Sequence, residues 1–152
     1  MPSTVKNMHI RDYTSNDKDA VIGLLRLNTP QYFAPEEEQD LLHYLDHEIE
    51  RYFVLEMNGA LAGCGGINFS EDRTHGKISW DILHPQYQGL GLGSRLVRHR
   101  LEHLKTYQGL QTITVRTSQL AYKFYEKQGF VLTQVIEDYW AKGFHLYDMA
   151  LR

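Results

Sequence analysis

Apolar and polar positions along the chain alternate between two periods, and the switches between them mark out the elements. From Asn7 to Thr14, apolar Met8, Ile10 and Tyr13 stand among polar neighbours, which predicts an opening strand. Ser15 or Asn16 then caps a helix in which Val21, Leu24 and Leu25 recur at helical spacing, and Pro30 stops it. Pro35 followed by Glu36, Glu37 and Glu38 predicts the start of a second helix, because proline suits a first turn and acids suit the positive end of the helix dipole. Leu41, Leu45 and Ile49 give that helix its apolar face. Two apolar runs between Arg51 and Phe69 flank Asn58-Gly59, the dipeptide that favours the tight turn of a twisted hairpin. A strand over 76–83 follows, then a helix with Leu92, Leu96, Val97, Leu101 and Leu104 on one side, ending near Gly109. The remaining pattern reads as a strand over 111–117, a helix over 118–128 stopped by Gly129, a strand over 130–136 and a last strand over 144–151. The order is strand, two helices, three strands, helix, strand, helix, two strands. It predicts an α/β fold, a mixed sheet covered by helices, in a single domain over 1–152 with no internal repeat or linker.

Composition narrows the class without naming a function. Of 152 residues, 42% are hydrophobic and 23% charged, an ordinary globular balance. A net charge of -3 leaves no electrostatic footprint for nucleic acid or an anionic membrane, so neither is expected as a partner. No apolar run reaches the roughly 20 residues of a membrane span, and the first residues lack the apolar core of a signal peptide, so the expected location is cytoplasmic. The single cysteine, Cys64, lies among small residues in a strand-like run with no histidine near it in sequence. It reads as a small buried residue rather than a catalytic thiol.

The candidate chemistry centres on HPQYQGLGLGSRL, His84 to Leu96, where Gly89, Gly91 and Gly93 alternate between a strand and a helix. That arrangement turns helix-start N–H groups toward an anion, and glycine lets the backbone take positive φ and approach phosphate oxygens closely. A Walker loop would need a lysine after the last glycine, and none is there. A dinucleotide fingerprint would need Gly-x-Gly-x-x-Gly at the start of a βαβ unit, whereas this loop has Gly-x-Gly-x-Gly after an antiparallel hairpin. The pattern that remains is Gln/Arg-x-x-Gly-x-Gly/Ala, matched by Gln88, Gly91 and Gly93.

In that pattern the segment resembles the acetyl-CoA pyrophosphate loop of the GNAT superfamily of N-acetyltransferases. A second stretch, AYKFYEKQGF from Ala121 to Phe130, resembles that family's late helix, and the order of elements extends the likeness over nearly the whole chain. The resemblance implies a GNAT-like, mixed but mostly antiparallel central sheet flanked by helices. It implies acetyl-CoA as cosubstrate, and direct acetyl transfer to the primary amine of a small molecule in a ternary complex. Leu83, His84, Gln88, Gly89, Leu90, Gly91, Leu92, Gly93, Ser94, Ser118 and Tyr125 become the expected coenzyme contacts, with backbone N–H groups near Leu83 polarising the thioester carbonyl. Ser118 is a departure, since many members carry Asn there, but serine also caps a helix and offers a hydrogen bond. Tyr125 matches the tyrosine that acts as general acid to the coenzyme sulfur.

An amine with a pKa of about 10.4 is mostly protonated at neutral pH, so a base or water relay must take a proton. Asp81, a carboxylate among the apolar residues of ISWDIL just before the loop, is the leading candidate; His75, Ser79 and His145 are the others. The family's acceptor groove would be bordered by NTPQYFAPEEEQ and IEDYWAKGFHLY, with Tyr32, Phe33, Tyr139 and Trp140 as aromatic walls. Glu36 to Glu38 and Glu137 either attract a cationic acceptor or form only a helix start and a loop. Protein N-terminal or lysine acetylation and a non-catalytic acyl-CoA-binding module are the alternatives. A homodimer through the last strands is a further expectation from the family. His99-x-x-Glu102-His103 fits an inverted zinc pattern but reads as an exposed helix face beside Arg98 and Arg100, as does the pair His43 and His47, so no metal is expected.

Overall fold

The computed structural model describes residues 7–152. Seven strands form one sheet in the order β1-β2-β3-β4-β5-β7-β6. They are β1 (Met8–Asp12), β2 (Arg51–Met57), β3 (Ala60–Phe69), β4 (His75–Leu83), β5 (Thr112–Thr117), β6 (Phe130–Ala141) and β7 (Phe144–Leu151). Among the described residues only β4 and β5 run parallel; every other pairing is antiparallel. Four helices cover the sheet: α1 (Lys18–Leu27), α2 (Glu37–His47), α3 (Leu92–Leu104) and α4 (Tyr122–Lys127). The expected element order and the mostly antiparallel sheet are both found.

Strand alternation divides the core in two. Tyr52, Val54, Cys64 and Ile82 face α1 and α2, where they meet Val21, Leu24, Leu25, Leu41 and Tyr44. Phe53, Leu55, Ile67, Ile78 and Val115 point the other way, against Leu92, Leu96, Val97 and Leu104 of α3 and Tyr125 of α4. The β2–β3 turn is built as its sequence predicts, with Asn58 at φ 53° and Gly59 at φ 83°.

Two irregularities of β4 position the site. Its ladder with β5 ends at Ile78 opposite Val115, although both strands continue, so the sheet splays open beyond that pair. Before that strand ends, Trp80 takes φ 50°, and the β3 register shifts between Cys64 and Gly66. This bulge reverses the alternation: Trp80 joins the core on the α1–α2 side, while Asp81 turns to the α3 side. At the other end of the chain β6 is longer than the pattern over 130–136 suggests. It pairs with β7 as far as Ala141 opposite Phe144, and Gly143 at φ 83° closes the hairpin.

Candidate active site

A cleft of about 930 Å³ opens where β4 and β5 part. The glycine loop, α4, the α1–α2 connection and Trp140 all border it. The three glycines do different jobs. Gly89 and Gly91 lie at φ 83° and 79°, Gly91 being the N-cap of α3, and a Cβ on either would meet nothing within 4 Å. Their backbone is bent as only glycine bends cheaply, and it faces open space that a phosphate-bearing ligand would fill. Gly93 instead makes room for packing, since a Cβ there would come within 3.2 Å of the Phe124 ring on α4. Gln88, Gly89 and the segment 91–94 line the cleft with Leu83, Ser118 and Tyr125; His84 and Leu90 lie outside its lining. His84 accepts the Gln86 N–H on Nδ1 at 3.1 Å and so shapes the entry to the loop. Ser118 accepts the Leu120 N–H on Oγ at 3.2 Å and its carbonyl accepts from Tyr122, the local capping expected of a serine before α4.

Tyr125 and Asp81 are brought into direct contact. The phenol donates to Asp81 Oδ2 at 2.6 Å, and the other carboxylate oxygen pairs with Nη1 of Arg100. Tyr125 is buried, and burial together with the facing carboxylate pushes its ionisation well above the usual phenol range. Arg100, which the pattern puts on an exposed helix face, is the reverse: among the described residues it is the largest fully buried side chain. Helix spacing explains the correction: positions 92, 96, 100 and 104 form one stripe, and that stripe packs on the sheet. His99 and His103 are also partly buried, their rings lying against Phe53 at 4.8 and 5.3 Å between centroids. Among the described residues no three His, Cys, Asp or Glu side chains gather as a metal cage.

The other base candidates are dispersed. His75 bonds Thr114 Oγ1 at 2.8 Å and lies at the start of β4, outside the cleft lining. His145 accepts the Asp138 N–H at 3.0 Å, also outside it. Ser79 lines the cleft, and its buried Oγ has no hydrogen-bond partner among the described residues. Cys64 is fully buried, and burial pushes its thiol up to about 12, so it is no nucleophile.

Of the expected aromatic walls, Tyr32, Phe33 and Trp140 line the cleft, with Phe33 stacked on Trp80 at 6.3 Å. Tyr139 does not; it is exposed, with the Arg116 guanidinium 4.9 Å from its ring centre. The three acids at the start of α2 also separate. Glu38 pairs with Arg26 at 2.8 Å, Glu36 is exposed, and Glu37 alone reaches the cleft. Glu37 is buried, accepts the Ala34 N–H at 2.8 Å, and is pushed up by desolvation to about 7. Glu137 is exposed and outside the lining. Lys77 and Arg116, not singled out in the sequence, line the same cleft, and neither forms an ion pair among the described residues. The signal for them was a cation at an alternating position of a strand beside the loop.

With this geometry in hand, comparison with known proteins is decisive at the level of family: the model of the Acetyltransferase (GNAT) family matches residues 19–130. The chain belongs to that family. An amino-acid acetyltransferase of Pseudomonas putida is 31% identical over 123 residues, covering 78% of this chain and 26% of that protein. The chain thus spans about a quarter of the length of the curated relatives it matches. The ribosomal-protein-S18-alanine N-acetyltransferase of Escherichia coli has the same fold, with a TM-score of 0.76 at 22% identity, covering 95% of this chain and 92% of that one. So does the N-acetylglutamate synthase of Neisseria gonorrhoeae complexed with coenzyme A and L-arginine, with a TM-score of 0.72 at 22% identity, covering 95% of this chain and 33% of that one. The glycine loop and the late helix singled out in the sequence both border the cleft.

Proposed function

We propose that this GNAT protein moves an acetyl group from acetyl-CoA to the primary amine of a small molecule, by direct attack in a ternary complex. The observation that carries the reading is the 2.6 Å hydrogen bond from Tyr125 to Asp81, which joins the expected acid to the expected base at the mouth of the splay. The coenzyme fits the residues present: the positive-φ glycines face open space, and the splayed strands leave unpaired backbone beside it. Gln88, Gly89 and the segment 91–94 would hold its phosphates, with Leu83, Ser118 and Tyr125 nearer its thiol end. Acetyl-CoA supplies an activated thioester.

This chain's residues then manage protons. One proton of the acceptor ammonium leaves to water before attack; the second must travel from nitrogen to the departing sulfur. Asp81 Oδ2 takes that proton as Tyr125 Oη gives its own to sulfur, and Asp81 returns its proton to the phenol. The shared hydrogen bond lets these moves occur together, so a phenol that resists ionisation never has to persist as phenolate. Asn28 donates to the carbonyls of Leu83 and Leu24 at 3.1 and 2.8 Å and fixes the end of β4, where backbone N–H groups would meet the developing oxyanion. Cys64 lacks the reactivity an acyl-enzyme route would need.

An amino acid is the acceptor class we favour. Lys77 and Arg116 offer the cleft two cations for a carboxylate, and the similar Pseudomonas protein is an amino-acid acetyltransferase. A second copy of the chain is the expected partner, because β6 is the sheet edge and exposes Val131, Leu132, Val135 and Ile136. Tyr125→Phe tests the mechanism. It should lower kcat by about 100-fold while coenzyme A binding, read by calorimetry, stays intact; unchanged turnover would remove Tyr125 from the proton path.

A further inference from the structure

We infer that Arg100 is a positioning residue for the transfer step: it holds the Asp81 carboxylate turned toward Tyr125 and balances its charge. The inference rests on the proposed acetyl transfer at this cleft.

Arg100 is out of place by every packing rule. It sits in the middle of the stripe of α3 that otherwise gives Leu92, Leu96 and Leu104 to the core, and none of its surface reaches solvent. Leucine or methionine would satisfy that stripe, and a buried ion pair is in general no more stabilising than the apolar pair that could replace it. The surroundings are nonetheless shaped around the charge. Nε donates to the Leu96 carbonyl at 3.1 Å, and Nη1 donates to the Gly66 carbonyl at 3.2 Å as well as to Asp81. A Cβ on Gly65 would lie 2.6 Å from both Arg100 Nη1 and Asp81 Oδ1, so the neighbouring strand lacks a side chain where the pair needs space. The bulge at Trp80 brings Asp81 to this face, and its two oxygens are divided, Oδ1 to Arg100 and Oδ2 to Tyr125.

No other ionised group competes within the cluster. Tyr44 on α2, Tyr52 on β2 and Cys64 on β3 feel one or both charges, and burial pushes all three further from ionising. His99, the preceding residue of α3, is held toward its neutral form, mainly by desolvation. Asp81 therefore has one cation, and Tyr125 has one acceptor. Without the guanidinium, the carboxylate would face the core with no counter-charge to favour its ionised form and no partner to hold Oδ2 turned toward Tyr125.

The test is a double-variant cycle in kcat, read across pH. Arg100→Gln should lower kcat at least about tenfold at neutral pH, leave the KM for acetyl-CoA within about threefold, and move the acid limb of the kcat profile up by about one pH unit. Arg100→Lys should recover part of the loss, and His99→Gln should leave the limb where it is. Asp81→Asn should be slow at every pH, and adding Arg100→Gln to it should cost nothing more, because Arg100 acts through Asp81. A further loss in the Asp81→Asn background, or a uniform loss with an unmoved limb, would show a merely structural residue and overturn the inference. If Arg100→Gln alone fails to fold, as judged by coenzyme A binding, Arg100→Met in the Asp81→Asn background decides. It removes both charges, and turnover below that of Asp81→Asn alone would also overturn the inference, whereas equal or higher turnover supports it. Failure of the functional reading is distinct: wild-type protein would then consume no acetyl-CoA with any amine.

Discussion

At the level of single residues, Asp81 shows how far a sequence pattern reaches. Its type and place, a carboxylate in an apolar strand before the glycine loop, mark it as a candidate base. Plain alternation would put it on the face of Ser79, away from Ile78; the extra residue at Trp80 reverses that and turns it to Arg100 and Tyr125. A bulge of this kind comes from backbone geometry at one residue with φ 50° and leaves no mark in the hydrophobic pattern. Arg100 was hidden for the opposite reason, since a lone charge on a helical stripe reads as surface until its partner is known. Glu37 is a third case, an acid that starts a helix and is also buried at the cleft wall. Its carboxyl is raised from an ordinary 4.5 to about 7 by burial, which fixes a sign. Below about 4.5 it is protonated in both folded and unfolded chains and has no effect. Between 4.5 and about 7 the unfolded chain ionises first, so a destabilisation builds and is complete above about 7. Glu37→Gln should therefore stabilise the protein by about 1 to 3 kcal/mol at pH 8 and by almost nothing at pH 4, as read by urea unfolding. Equal effects at both values would show that the carboxyl is not held protonated.

Among the elements, those with a strong period were legible and those shaped by pairing were not. α1, α2 and α3 each carry an apolar stripe at helical spacing, and the β2–β3 hairpin carries its Asn-Gly turn, so all four were placed from sequence. The hydrophobic pattern ends β6 too early because nearly all of the strand is exposed, which leaves no inside-outside alternation to count. The splay between β4 and β5 leaves no mark in the pattern of either strand; it depends on where hydrogen bonding between two distant segments stops. The glycine loop was legible in spacing, while the different task of Gly93 needed the position of Phe124. Gly91→Leu is expected to cost about 1 to 2 kcal/mol, because a side chain at φ 79° strains the α3 N-cap, and to weaken coenzyme A binding beyond about tenfold by filling the space the loop leaves open. Calorimetry checks the second effect. Wild-type affinity in this variant would place the phosphates elsewhere.

Across the molecule, two cores share one sheet, and the cleft forms where that sheet parts, with the glycine loop on the α3–α4 side and Tyr32 and Phe33 on the α1–α2 side. Among the described residues no helix is long and apolar enough to cross a membrane. The exposed apolar edge of β6 makes oligomeric state a whole-molecule prediction: light scattering should give twice the chain mass, and Val135→Lys should return it to the single-chain value, whereas a wild-type monomer would remove that partner. The central claim, acetyl transfer to a small amine, is tested most directly by thiol release from acetyl-CoA. Wild-type protein would be run with a panel of amino acids, their carboxyl amides, polyamines, aminoglycosides and short peptides. Release that requires an amino acid and drops with its amide is the predicted result, because the amide lacks the carboxylate that we propose Lys77 and Arg116 hold. Release with none of these acceptors, from protein that binds coenzyme A, would contradict the claim and leave a binding module in its place.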